Sequence, residues 1–346
     1  MLKRAVTHRL SLALLTASVI GLSAHAAADG DVRVLKFTHA WPATHFIWTE
    51  GAGYFGDLVK TATNGKVVLE QYPAAQLGKE SVTLIGSGLV DGGIIAPTYE
   101  PAKLPLSTVG ELPGLHASAC EGTAKMWSLV KEGGALYNAE LKPMGLRALY
   151  ANVLGPYQIV TTKKEVTRLE DLGGLKIAAG GAAMDKTTRA LGAIPMQIAG
   201  SEFYDALARG SSDGGLWNVQ TLRQWGVDGV VKYTVKGPRL GAALTIHVIN
   251  EKVWQSFDAA TQRILTDAAM KTQQHLCSYA DDQLKKETDI MVAAGSLKVD
   301  TLSGSEVARW NAAVAPIAGA WVNQLASTGR PAAQVLKDFI DAPATF

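Results

Sequence analysis

Few residues of this chain have types and spacings that offer chemistry. They are His39 and His45, the pair Gly180-Gly181, the acids Glu202 and Asp205, and scattered tryptophans. Two histidines can ligate a metal, but a separation of six is wrong for one helix face, and no acid or cysteine lies between them. They read as turn residues, and no metal is expected. Gly180-Gly181 follows a strand-like run and opens a helix-like one, so its amides could receive an anion, but a lone Gly pair is a weak signal and a tight strand-to-helix turn is the favoured reading. Glu202 and Asp205 begin a helical stretch, where carboxylates complement the positive end of the dipole. There is no GxSxG elbow, no HExxH and no phosphate loop, and Gly86-Ser87-Gly88 ends a helix instead of opening one. The residues therefore offer no catalytic group and no cofactor motif. Most of the eight tryptophans read as core. Trp41 and Trp217 stand apart because each lies at or just after a strand end, where an aromatic ring can serve as a platform for a ligand.

Such residues need a scaffold, and the periodicity supplies one. Residues 34–38 are a β-branched and apolar run ended by His39-Ala40-Trp41-Pro42, where the proline keeps its neighbour out of helical geometry. A helical period over 46–63 stops at Asn64-Gly65. A strand at 67–72, a helix from about 79 to 86 and a strand at 91–96 complete a βαβαβ unit, which implies a parallel sheet. A second unit follows: strand 175–179, helix 183–191, strand 194–198, helix 202–208 and strand 213–217. Residues 142–162 read as extended and cross from one unit to the other, and 230–235 and 242–249 carry the chain back. From Asp258 the pattern is helical, over 259–290 and again over 305–327.

The expected fold class is α/β with two lobes. Residues 27–150 together with about 240–257 form lobe I, 151–239 form lobe II, and 258–346 are helices bracing both. Ligands of open α/β sheets bind at the carboxyl ends of the strands, and two lobes can turn those ends toward one cleft. An apolar content of 47% against 18% charged allows a large core. Cys120 and Cys277 can form one long-range disulfide or remain two buried thiols. Their helix-like surroundings and the lack of short Cys loops favour the thiols.

The first 26 residues read as a cleaved secretory signal. Lys3, Arg4 and Arg9 precede an apolar run over 10–22, and Ala24-His25-Ala26 makes a small-x-small site. The run is too short to span a bilayer, and no later stretch reaches the roughly 18 apolar residues of a span. Removing those three basic residues takes the count from 33 Lys plus Arg against 31 Asp plus Glu to 30 against 31, a net charge of −1. A near-neutral surface of this kind predicts no nucleic-acid partner and no stable membrane insertion.

Several segments carry a family resemblance. Residues 65–78 (GKVVLEQYPAAQLG), 88–91 (GLVD), 112–114 (LPG), 169–177 (LEDLGGLKI), 191–195 (LGAIP), 201–214 (SEFYDALARGSSDG) and 231–233 (VKY) resemble, in order, motifs of the extracytoplasmic solute receptors of TRAP transporters, DctP type. The resemblance implies a two-lobed periplasmic binding protein fold with crossing strands and long C-terminal helices. It implies a periplasmic receptor, not an enzyme, that closes over a small organic acid and delivers it to a membrane permease. In that family an arginine pairs with the ligand carboxylate after the GlKi motif, and here the matching residue is Ala178. A second arginine of some members falls at Tyr157. A family asparagine falls at Trp217, with Asn218 next to it.

A charge-assisted hydrogen bond contributes about 1.5–3 kcal/mol, whereas micromolar affinity needs only about 8 kcal/mol in total. Losing the fork therefore changes the ligand class or requires another cation, with Arg147, Arg223 and Arg239 as candidates. The ligand-binding set expected from position is His39, Trp41, Tyr99, Tyr157, Ala178, Trp217, Asn218 and Arg239. Its aromatic and hydrogen-bonding character fits a solute with an apolar or aromatic part better than a C4-dicarboxylate. Two other readings are a ligand sensor for a membrane receptor and a periplasmic lyase or hydrolase. The second lacks any nucleophile–base arrangement.

Overall fold

A computed structural model describes residues 32–198 and 200–346. The signal-peptide reading of residues 1–26 lies outside them. Two sheets organise the chain. The first contains β1 (Arg33–Thr38), β2 (Val67–Tyr72), β3 (Gly92–Ile95), β4 (Leu146–Val153) and β10 (Leu244–Asn250), in the order β2-β1-β3-β10-β4. The second contains β5 (Gln158–Thr161), β6 (Lys176–Ala179), β7 (Ile194–Gln197), β8 (Gly214–Trp217), β9 (Tyr233–Lys236) and β11 (Lys298–Thr301), in the order β11-β9-β5-β8-β6-β7. In each sheet the strands of the βαβαβ unit run parallel; β10 and β5 run antiparallel to them, and β4 and β9, each antiparallel to one of these, run in the direction of the unit.

The chain changes sheets three times, by two short crossing segments and, after β10, by the helices that lead to β11. Residues 154–157 carry it from β4 to β5, and 237–243 return it from β9 to β10. These two segments lie side by side. The Leu154 amide donates to the Ala243 carbonyl at 2.9 Å, and the Tyr157 amide to the Gly241 carbonyl at 2.7 Å. The short helices α1 (Tyr54–Ala62), α2 (Ser81–Gly86), α3 (Ala119–Val130), α4 (Ala182–Ala190), α5 (Phe203–Ala208) and α6 (Glu251–Gln255) connect the strands. The helix α7 (Ala259–Ala293) has 35 residues, about 50 Å at 1.5 Å per residue. Its first turns pack in one core with Phe37, Phe55 and Tyr150 of the first sheet's lobe. Its last residues join the core of the second, where Met291 packs with Val160 and Phe203. Along the way Gln273 accepts from the Ala151 amide at 2.9 Å, so α7 ties both lobes.

Two local expectations differ from the structure. The helix over 46–63 begins as a wide π turn, Ile47–Gly53, and Gly51 leaves helical geometry (φ −104°, ψ −106°) before α1 continues. Glycine makes that break cheap. The helix over 305–327 divides into α8 (Gly304–Val314) and α9 (Pro316–Ala326), because Pro316 has no amide for the preceding turn and sits instead at a helix start. A last helix, α10 (Ala332–Asp341), follows.

The cysteines need a correction. Cys120 and Cys277 form a disulfide, with Cα atoms 4.8 Å apart across 157 residues of sequence. The physical reason is tertiary. The N-terminus of α3 abuts the middle of α7, and Asp281 of α7 accepts from the Ala119 and Cys120 amides at 2.7 and 3.1 Å. That carboxylate satisfies donors a helix start leaves open and sets the two cysteines face to face.

Candidate functional site

A cavity of about 410 Å³ lies between the two sheets, where strand ends of both meet the crossing segments. Trp41 enters from the turn after β1, and Thr98 and Tyr99 from the loop after β3. Leu154 and Tyr157 come from the crossing segment, and Trp217 and Asn218 from the end of β8. The rings form a nearly continuous wall. Tyr99 and Trp41 have centroids 5.7 Å apart, Trp41 and His45 6.3 Å, and His45 and Trp225 5.7 Å. Trp225 meets Trp217 edge to face at 6.2 Å, and Trp217 stacks on Phe203 at 4.0 Å. These spacings are those of favourable aromatic pairs.

Of the residues expected from sequence, Trp41, Tyr99, Tyr157, Trp217 and Asn218 line this cavity together. His39, Ala178 and Arg239 do not. His39 is fully buried behind the turn that carries Trp41. It stacks on Trp48 with centroids 5.2 Å apart, and its Nε2 lies 2.9 Å from Gln71 Nε2. It supports the platform without facing the cavity. Ala178 is fully buried in the core that contains Phe203 and Trp217. On the neighbouring strand a Cβ at Gly215 would meet the Phe203 ring at 2.6 Å. The stacked Phe203–Trp217 pair thus needs small residues beneath it, which is what Ala178 and Gly215 provide. Arg239 is exposed on the return segment.

The other arginines suggested as replacements are committed elsewhere. Arg147 forks onto Glu132 and Glu251 at 2.8–2.9 Å, over the Trp254 ring. Arg223 pairs with Glu287 at 3.1 Å. Among the described residues that line the cavity there is no lysine or arginine.

Sequence reasoning missed His45, Asn152, Trp225, Thr245 and the placement of Glu202 in the cavity lining. Asn152 and Thr245 are cross-strand partners on β4 and β10, with Asn152 Nδ2 3.4 Å from Thr245 Oγ1. Both sit in strands that a sequence reads as plain core. His45 and Trp225 lie in loops far apart in sequence, and only the fold brings them together.

Apart from Glu202, the lining is close to neutral. Burial, together with the neighbouring His39, lowers the His45 pKa to about 4, so this imidazole is uncharged near neutral pH. Desolvation also raises the Tyr157 phenol and that of Tyr99, half of whose surface is open, with the Glu111 carboxyl adding to the rise, so both keep their protons. Glu111 lies behind Thr98 and accepts from its amide at 3.0 Å and its hydroxyl at 2.6 Å. Burial raises its pKa to about 7, against the lowering effect of those two hydrogen bonds. Asn218 donates its amide to the Gly155 carbonyl at 2.9 Å, which ties the end of β8 to the crossing segment and fixes which end of the side chain remains to accept.

A cavity closed by two α/β lobes, walled with aromatics and carrying hydrogen-bonding groups, is the site of a binding protein that encloses a small solute. The family evidence agrees. The profile of DctP, bacterial extracellular solute-binding protein family 7, matches residues 37–324, and the chain belongs to this family. The C4-dicarboxylate-binding periplasmic protein DctP of Rhodobacter capsulatus is 26% identical over 318 residues, 90% of this chain and 93% of that protein. A marine metagenome TRAP solute-binding protein, specific for aromatic acid ligands and solved with metahydroxyphenylacetate, superposes with a TM-score of 0.81. It shares 22% identity over 89% of this chain and 98% of its own. A Rhodoferax ferrireducens TRAP solute-binding protein with copurified benzoate gives 0.78, at 21% identity over 89% and 96%. Family and fold are those of solute-binding receptors. No helix among the described residues is long and apolar enough to cross a membrane.

Proposed function

We propose that the mature chain, cleaved near Ala26, works in the periplasm as the receptor of a TRAP-type secondary transporter. It closes over a small organic acid or related solute with an aromatic body and delivers it to the membrane permease. Lobe I comprises 27–150 with about 240–257, lobe II comprises 151–239, and 258–346 braces both. Trp41, Tyr99, Tyr157, Trp217 and Asn218 contact the solute.

The observation that carries this reading is the aromatic wall running from Tyr99 through Trp41, His45 and Trp225 to Trp217, which crosses from one lobe to the other. A planar apolar solute gains contact with both lobes at once and so favours the closed form. The aromatic ligands of the similar solved receptors support the same body shape. A thermal-shift screen tests it, because a ligand at 100 times its Kd stabilises by about 2.7 kcal/mol. Aromatic solutes should raise the melting temperature and be recovered unchanged. A response to short aliphatic dicarboxylates but not to aromatic solutes would overturn the reading, and chemical conversion of the ligand would refute a pure receptor.

A further inference from the structure

One carboxyl group stands just behind the cavity wall with no cation bonded to it. Glu111 ends a 3-10 turn (Ser107–Glu111) of the first lobe and is 5% exposed. It does not line the main cavity but borders a separate crevice of about 110 Å³. Thr98 lines both spaces, and its amide and hydroxyl donate to Glu111 Oε1 at 3.0 and 2.6 Å. A single residue therefore separates the carboxyl from the solute space. The Glu111 backbone packs against Gly241, whose carbonyl accepts from the Tyr157 amide. Its charge reaches the phenols of Tyr99 and Tyr157, both of which line the cavity. On the crevice side the one basic group among the described lining is Lys186 of α4, whose ammonium donates to Gln324 Oε1 at 2.6 Å; α9 brings no charge there. On the cavity side the charged or titratable groups are Glu202, His45 and the two phenols.

An organic acid in this cavity meets phenol donors but no lysine or arginine. An ionised Glu111 would place a second, buried negative charge one residue away, where screening is weak. We propose that Glu111 takes up one proton from solvent when an organic acid enters the cavity, so that the receptor binds the anion and a proton together. The proposal rests on the receptor reading and adds proton linkage at the same site, with Glu111 as a positioning residue that acts through Thr98. Oε1 already holds both Thr98 donors, so the proton goes to Oε2 and the wall keeps its shape. Burial sets the Glu111 pKa at about 7 before the solute arrives, and a neighbouring anion raises it further. If the anion favours the proton, the proton favours the anion equally. Acid affinity must then fall as the pH rises through 7.

The test is calorimetric titration of the mature protein with benzoate, phenylacetate and mandelate, each paired with its neutral amide, at pH 6, 7 and 8. The acids stay ionised throughout. Their affinity should fall about ten-fold from pH 6 to 8, and that of the amides should change less than two-fold. At pH 7 the heat should vary with the ionisation enthalpy of the buffer, reporting uptake of about half a proton per acid bound, since the free carboxyl is then half protonated. Glu111→Gln keeps an oxygen for Thr98 without the charge. It should bind the acids at pH 8 as tightly as the native protein does at pH 6, with no proton uptake, whereas a merely structural Glu111 would lose affinity at every pH. If a melting curve shows that this variant does not fold, the buffer dependence of the native protein decides. Heats independent of buffer with acid affinity unchanged from pH 6 to 8 would overturn the proposal and leave the receptor reading standing, as would binding of the amides alone. Binding of neither acids nor amides at any pH would count against the receptor reading itself, and the proposal would fall with it.

Discussion

The imidazole of His45 and the indole of Trp225 lie with centroids 5.7 Å apart and planes at 58°, and they join the two walls of the cavity. His45 belongs to the turn after β1 in the first sheet. Trp225 belongs to the loop after β8 in the second, and its ring also meets Trp217. A contact of this kind is made only when the lobes are close. Trp225→Ala should therefore weaken solute binding by about ten-fold, or about 1.4 kcal/mol, within the range of an aromatic contact plus its buried area. Trp225 is only half-buried, so the melting temperature of the protein without solute should change little. Titration and a melting curve on the same sample check both. Equal loss in both would mean that Trp225 is a core residue with no part in closure.

Acid should destabilise the protein over a defined window. Burial holds the pKa values of His39, His45 and His116 at about 4 and that of His247 well below its ordinary value. Unfolded, these imidazoles take up protons near pH 6.5. The unfolded state then binds more protons, so stability falls as the pH drops from about 6.5 toward 4, by up to a few kcal/mol per imidazole. Glu111 acts in the opposite sense. Its folded pKa of about 7 adds stability at low pH that is lost as the pH rises from about 4.5 through 7. The histidines outnumber it, so the melting temperature should rise from pH 4 to 6.5 and then level off. A flat profile would contradict the neutral burial of these groups.

Much of this architecture was legible in the sequence because its signals are local. The β-branched, apolar runs at 34–38 and 67–72 and the Asn64-Gly65 stop gave the first βαβ unit, and the position of Trp217 at a strand end gave one wall of the cavity. What stayed hidden depends on partners remote in the chain. Arg147 looked available until the fold brought it between Glu132 and Glu251. The Cys120–Cys277 bond depends on where α7 crosses α3, which neither helix pattern records. His45 and Trp225 are 180 positions apart, and nothing in either loop announces the other.

Restoring the family arginine should fail. Ala178 is fully buried in the core with Phe203 and Trp217, and the Phe203 ring already stands over Gly215 next to it. Ala178→Arg would overpack that core, at about 1–3 kcal/mol, and add the cost of desolvating a guanidinium. The variant should melt at a clearly lower temperature and gain no affinity for benzoate. A stable variant with new carboxylate binding would show that the stack can yield to a side chain from β6.

The disulfide should matter for stability and little for the cavity. It links α3 to α7 across 157 residues, and cross-links of this kind typically add about 2–4 kcal/mol, chiefly by restricting the unfolded chain. Cys120→Ser with Cys277→Ser should lower the denaturant midpoint accordingly and leave solute affinity within two-fold. The Asp281 hydrogen bonds to the start of α3 remain in the variant. A large loss of affinity would mean that the bond also sets the position of α7 along the crossing segments.

The return segment supplies the sharpest test of how the lobes are joined. Gly241 has φ +95°, a region that side chains disfavour, and a Cβ there would meet the Glu111 carbonyl oxygen at 2.5 Å. Its own carbonyl accepts from the Tyr157 amide. Gly241→Ala must therefore push the return segment away from Glu111 or twist it, a strain of about 1–3 kcal/mol. Either movement also displaces Tyr157 from the cavity. Gly229→Ala is the control, because that position has no positive φ and no neighbour within 4 Å of a built Cβ. The first variant should lose both melting temperature and solute affinity, and the second neither. If Gly241→Ala behaves like its control, the two crossing segments do not move as one paired unit, and closure must turn about some other part of the chain.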